Sequence, residues 1–178
     1  MRSTLFRSRV RPICGVLAMA SAAVACSSGN VDELSADQLN PPASWTSEEQ
    51  VILDVYSTFR TELTDATATK DGDLDPVFDL ASPRLAEALE EVIVGDRSVG
   101  NVVRGTYDFT PLSVTMVADD EAEILMCAWD QTYVYNEGEQ LSEVPEAPET
   151  AKVDMKLMEG VWLVNGIFDG AGQTCELQ

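Results

Sequence analysis

The hydrophobic period of this chain changes once, near residue 101, and that single change limits the fold class more than any other feature. Before it, apolar residues recur every three or four positions, the spacing of a helix face; after it they alternate, the spacing of a strand. Thr46-Ser-Glu-Glu49 has the capping-box pattern, with acids suited to the positive end of a helix. Val51, Ile52, Val55, Tyr56, Phe59 and Leu63 then form one apolar face. This helix is expected to run to about Thr69, where Lys70-Asp-Gly-Asp73 breaks it. Asp73 or Asp75 caps a short helix holding Val77, Phe78 and Leu80. Ser82 as N-cap and Pro83 at the first helical position open a third, whose face is Leu85, Ala86, Leu89, Val92 and Ile93 and which ends between Gly95 and Gly100.

From Asn101 onward four strands are expected. The first alternates through Val103, Gly105, Tyr107 and Phe109, bends at Pro111 and resumes with Leu112, Val114 and Met116. Ala118-Asp-Asp-Glu121 is a turn. Ala122 to Tyr135 then reads as one long strand, with Ile124, Met126 and Ala128 on one face and Leu125, Cys127, Trp129, Tyr133 and Tyr135 on the other. The acidic stretch Asn136–Glu149, with Pro145 and Pro148, is an exposed hairpin loop. Ala151 to Met158 and Val161 to Phe168 make the last two strands, joined at Glu159-Gly160. The fold class is therefore α+β: three N-terminal helices packed on a curved four-stranded antiparallel sheet, residues 46–178, enough chain to bury one core without a metal.

The N-terminus is built differently. Arg2, Arg7, Arg9 and Arg11 precede an apolar run from Ile13 to Ala25, too short to span a bilayer, and no acid occurs before Asp32. Ala23-Val-Ala-Cys26 followed by Ser-Ser-Gly-Asn looks like a bacterial lipobox, with Ala23 where a larger aliphatic residue is usual. Residues 1–25 are thus expected to be a lipoprotein signal peptide. Cys26 would carry a diacylglycerol thioether, whose two acyl chains suffice for stable attachment to the extracytoplasmic face of a cell membrane. Residues 26–45, polar and Pro-containing, are expected as a flexible tether reaching about 25 Å.

Charge and cysteine count follow from that reading. Losing the four signal arginines leaves seven of the 11 bases against 31 acids, a net charge of −24, which repels nucleic acid and anionic headgroups. Of the four cysteines, Cys14 leaves with the signal and Cys26 takes lipid; Cys127 and Cys175 remain in an oxidising compartment, where a disulfide is expected. With no histidine, Ser-His-Asp and Cys-His catalysis are excluded, and with both thiols in the expected disulfide no zinc site, other metal or cofactor is expected. Asp71-Gly-Asp-Leu-Asp75 resembles the front of a calcium loop. Pro76 and Ser82 stand where such a loop needs Gly and Glu, so it is read as a helix-ending turn.

The order of elements resembles the cone-shaped nuclear-transport-factor-2-like fold, shared by ketosteroid isomerases, scytalone dehydratase and polyketide cyclases. More narrowly it is similar to small actinobacterial lipoproteins of unknown function. Val55-Tyr-x-x-Phe59, Asp79-Leu-Ala-Ser-Pro83 and Val103-Arg-Gly105 carry the first half of the resemblance. Ala122, Ile124, Cys127 and Asp130, then Gly160-Val-Trp162 and Gly172-x-x-Cys175, carry the second. The resemblance implies a cone that holds a small apolar molecule or presents a surface to an envelope protein, without implying catalysis.

Tyr56, Phe59, Tyr107, Trp129, Asp130, Tyr133 and Phe168 are the expected lining of such a cone. The alternative is an isomerase- or dehydratase-like enzyme using a carboxylate and a tyrosine, drawn from Tyr107, Asp130, Tyr133 and Asp169. An open apolar interior favours ligand binding, and an interior filled by aromatic rings favours a protein-interaction scaffold.

Overall fold

The computed structural model describes residues 36–177, and within them the side chains of 36, 37 and 169–172, the candidate Asp169 among them, are outside the description. The expected signal peptide and the lipid-bearing Cys26 therefore lie outside the described residues, and among those residues no helix is long and apolar enough to cross a membrane.

Three helices form where the sequence places them: α1 (Ser47–Thr67), α2 (Asp75–Phe78) and α3 (Pro83–Ser98). The capping box of α1 is closed, with Thr46 N donating to Glu49 Oε2 at 2.7 Å and Glu49 N to Thr46 Oγ1 at 3.3 Å. The far end of α1 stops at Thr67, where Arg97 of α3 donates to the carbonyls of Ala66 and Gly72 at 2.7 and 2.8 Å. A cation thus serves one carbonyl at the end of the helix and one in the turn beyond it. Asp73 acts in a local turn, its Oδ1 accepting from Asp75 N at 3.0 Å. Ser82 caps α3 through Leu85 N.

Seven strands follow, not four. They are β1 (Val102–Arg104), β2 (Tyr107–Ala118), β3 (Glu121–Asp130), β4 (Tyr133–Asn136), β5 (Glu139–Gln140), β6 (Glu149–Met158) and β7 (Val161–Thr174). β2, β3, β6 and β7 make one antiparallel sheet in that order, and β1, β4 and β5 make a second. The difference has one physical cause. Two of the expected long strands run side by side and break at the same level. Arg104 pairs with Tyr133 on one side of the break and Tyr107 with Asp130 on the other. At the break Gly105 has φ +109°, and a Cβ there would lie 2.1 Å from the Gln131 carbonyl oxygen, so only glycine fits. Opposite it, Asp130 Oδ1 accepts from Thr132 N at 2.9 Å and closes a side-chain turn. The chain leaves one sheet for the other at this paired kink.

The two faces of β3 differ. Ile124, Met126 and Ala128 join Ile52, Tyr56 and Phe59 of α1 in the main core, with Val153, Met155, Trp162 and Val164 beside them. Each fully buried large apolar side chain contributes about 1.5–3 kcal/mol. On the other face Leu125, Cys127 and Leu112 form a small second cluster, covered by Leu39, Cys175 and Leu177. Cys127 and Cys175 are disulfide-bonded across 48 residues of sequence, with Cα atoms 5.8 Å apart. Leu39 ends a 3-10 helix, Ala36–Leu39, and Trp45 packs on the main core. The part of the expected tether from Ala36 to Trp45 thus carries packed residues.

Phe168 corrects another expectation. Asp154 pairs with Gly166 and the next residue, Met155, pairs with Val164, so Asn165 is an extra residue in β7. This bulge shifts the alternation. Ile167 then packs against the core and Phe168 faces outward, 52% exposed.

Candidate binding cavity

Between the second half of α1, the middle of α3 and the second sheet lies a cavity of about 250 Å³. The helical spacing that builds the core continues into it. α1 supplies Leu63, Thr64 and Thr67 beside Arg60, and α3 supplies Leu89, Val92 and Ile93. Thr64 and Thr67 donate their hydroxyls to the Arg60 and Leu63 carbonyls of their own helix at 2.8 and 2.7 Å, so those polar groups are already satisfied. The second sheet brings Val103 and Arg104 from β1 and Tyr133 and Val134 from β4, with Asp130 and Thr132 from the kink.

One wall is a loop. Ser142, Glu143 and Pro145, between β5 and β6, close the side of the cavity away from the helices. Two hydrogen bonds hold this wall in place: Val134 N donates to Ser142 Oγ at 2.9 Å, and Trp129 Nε1 donates to the Pro145 carbonyl at 3.1 Å.

Of the seven side chains expected to line a cone, Asp130 and Tyr133 reach the cavity. Tyr56 and Phe59 do not, because both are fully buried in the main core, their ring centroids 6.4 Å apart. Tyr107 stands between the two regions. Its hydroxyl lies 2.9 Å from that of Tyr56 and 3.5 Å from Met126 Sδ. Burial pushes the Tyr56 hydroxyl well above its ordinary pKa, and the neighbouring Tyr107 adds to the shift. Trp129 holds the loop wall without lining the cavity, and Phe168 lies outside it. Asp130 spends Oδ1 on the kink, accepting from both the backbone N and the hydroxyl of Thr132. Among the described residues no three His, Cys, Asp or Glu side chains gather as a metal site.

Arg60 is the lining residue that sequence reading missed. It is 6% exposed, and its guanidinium carbon lies 3.5 Å from the centroid of the Tyr107 ring. The signal was present: a basic residue four positions after Tyr56 and three before Leu63, on the flank of an apolar helix face, in a chain nearly stripped of bases. At the rim, Arg104 stacks on Tyr135 at 4.2 Å.

No family model matches the chain, and no curated protein matches it. Solved structures do. The intermembrane space region of the chloroplast protein ARC6 is similar with a TM-score of 0.57 at 11% identity, over 71% of this chain and 99% of that one. An NTF2-like protein of unknown function from Prochlorococcus gives a TM-score of 0.43 at 15% identity, over 72% of this chain and 96% of that one. A ketosteroid isomerase-like protein from Erwinia carotovora gives 0.46 at 14% identity, over 67% and 92%. At these identities the likeness is one of fold, and the ARC6 region carries it: an α+β domain with antiparallel sheets, spanning nearly the whole of that neighbour.

Proposed function

We propose that this chain is a membrane-anchored extracytoplasmic lipoprotein whose domain is a nuclear-transport-factor-2-like cone that binds a small, mostly apolar molecule. The observation that carries the binding reading is the cavity of about 250 Å³, whose walls include Leu63, Leu89, Val92, Ile93, Val103 and Val134 from two helices and a sheet. Such a volume is close to the lower end of the range for small-molecule sites, and its aliphatic walls with a few convergent polar groups match their usual chemistry. The order of elements, three helices followed by a meander of long strands, supports the cone assignment. Native mass spectrometry of the protein purified from its host tests it. A co-purifying small molecule, released on unfolding, is expected; a protein that arrives empty and binds no apolar probe would overturn the reading.

The anchor rests on the arginine cluster, the apolar run and Ala23-Val-Ala-Cys26. Metabolic labelling with a fatty-acid analogue should mark the protein, and a Cys26→Ala variant that still labels would sink the lipid assignment.

A second reading, an isomerase- or dehydratase-like enzyme, has one observation in its favour: Asp130 and Tyr133 bring a carboxylate and a phenol to the same cavity. It requires the Asp130 carboxylate to serve chemistry as well as the kink. Turnover by the wild type of the molecule that co-purifies, abolished in Asp130→Asn, would favour it over simple binding.

A further inference from the structure

The cavity contains a charge that the fold leaves unmatched. Arg60 is 94% buried by its 6% exposure, and its Nε is buried with no hydrogen-bond partner. The ion pairs among the described residues are those of Lys152 and Lys156, and none involves Arg60. No hydrogen bond joins its guanidinium to a described residue. This occurs in a chain with 31 acids. A buried guanidinium cannot neutralise itself by losing a proton, and leaving it unpaired is costly.

Tyr107 meets only part of that cost. The ring covers one flat side of the guanidinium at 3.5 Å, a favourable cation–π contact. The five N–H donors lie in the plane of the group and point away from a stacked ring. Arg97, whose Nε is likewise buried without a partner, shows what a structurally employed arginine does in the same molecule: its Nη2 donates to two carbonyls. Arg60 has no such acceptors and lines the cavity instead.

Two carboxylates also line the cavity, and neither is the missing partner. Asp130 Oδ1 is taken by Thr132, and neither Asp130 nor Glu143 forms an ion pair with Arg60. Arg60 shares the lining with a set of aliphatic side chains, Leu63, Leu89, Val92, Ile93 and Val134. A cation beside aliphatic walls is the complement of an amphipathic acid.

We propose that the cavity takes an apolar molecule bearing a carboxylate, with the carboxylate held in the plane of the Arg60 guanidinium and the apolar part along the aliphatic walls. This deepens the binding reading above and rests on it. The planar fork of arginine matches two carboxylate oxygens at once, and the charge-assisted pair forms away from water, where it is strongest.

Octanoate and octan-1-ol have the same chain length and differ in the charge, so they separate the two layers of the proposal. Calorimetric titration of the full-length protein in amphipol, against an amphipol blank, should show octanoate binding about ten- to hundred-fold more tightly than octan-1-ol. In Arg60→Met that preference should vanish while the octan-1-ol affinity stays within about two-fold. Equal affinities in the wild type, or a preference that survives Arg60→Met, would overturn the proposal and leave the cavity reading standing. Binding of neither probe would overturn the cavity reading too. The wild-type comparison stands alone if Arg60→Met fails to fold. Arg60→Lys, which keeps charge and removes the fork, should retain only part of the preference; a full preference there would overturn the bidentate geometry.

Discussion

α1 meets two different surroundings along one face. Its first half, through Ile52, Tyr56 and Phe59, is sealed against the four-stranded sheet, where Tyr56 stands edge-on to Phe109 at 5.2 Å. Its second half, from Arg60 to Thr67, borders a cavity. The helix does not change its period between them. What changes is the size of the side chains and the sheet they face. Aromatic rings over β2 and β3 fill the space; beyond the kink at Gly105 and Asp130 the strands move to the second sheet, and Leu, Thr and Val are too small to follow. A cavity here needs no special device, only a strand pair that leaves one sheet for the other beside a helix that runs on.

The sharpest way to break this comparison is to empty the filled end. Phe59→Ala removes a ring with no exposed surface and should cost about 5 kcal/mol, read as a loss of denaturation midpoint. A cost near 1 kcal/mol would mean that the filled end is as loose as the open one. Next in size is the staple on the far face of the sheet. Cys175→Ser releases a loop of 48 residues and should lower stability by about 4 kcal/mol in the chain-entropy account. Because the disulfide lies on the opposite face from the cavity, probe binding in the folded protein should be unchanged; loss of binding would show that the two faces are coupled.

How much of this was legible in the sequence depends on the same contrast. The caps at Thr46 and Ser82, the turn at Glu159-Gly160 and the Cys127–Cys175 pair all follow from local chemistry or counting, and all are present. The kink was not legible, because Tyr107 and Tyr133 each continue an alternating pattern that gives no sign of a break. Only the close approach of Gly105 to Gln131, a long-range contact, imposes it. With the kink hidden, the cavity was placed over the aromatic residues, which in fact fill their space. Phe168 was misplaced for a similar reason, since one bulged residue reverses the parity of every position after it.

A smaller test addresses the open end directly. Leu63→Ala should cost about 2 kcal/mol, less than an equally buried leucine in the filled end, because one side of Leu63 already borders empty space and has fewer contacts to lose. Equal costs for Leu63→Ala and Leu53→Ala, both 6% exposed, would argue against an open cavity.

The smallest effect concerns the two central strands of the four-stranded sheet. Asp154 has its pKa raised, first by partial burial and then by Glu123, which faces it directly across β3 and β6. A raised carboxylate pKa means that the folded state holds the proton more tightly than the unfolded chain. Its stabilising contribution is therefore complete below the ordinary aspartate range and is lost as pH rises through the folded pKa. Asp154→Asn should raise Tm at pH 7 by about 1–2 °C, and the gain should disappear in acid. A gain that persists at low pH would place the effect in packing and not in charge.

The loop between β5 and β6 is the one wall of the cavity made of neither helix nor strand, and Leu141, Glu143, Pro145 and Glu146 on it are exposed. A protease that cuts there divides the chain on either side of Cys127 and Cys175, yet the two pieces stay covalently joined through the disulfide and remain zipped along β3 and β6. A nicked molecule would run as one species without reductant and as two with it. It would also keep its main core while losing the loop's hold on whatever the cavity contains. Controlled cleavage is thus a route to opening the cavity without unfolding the protein that surrounds it.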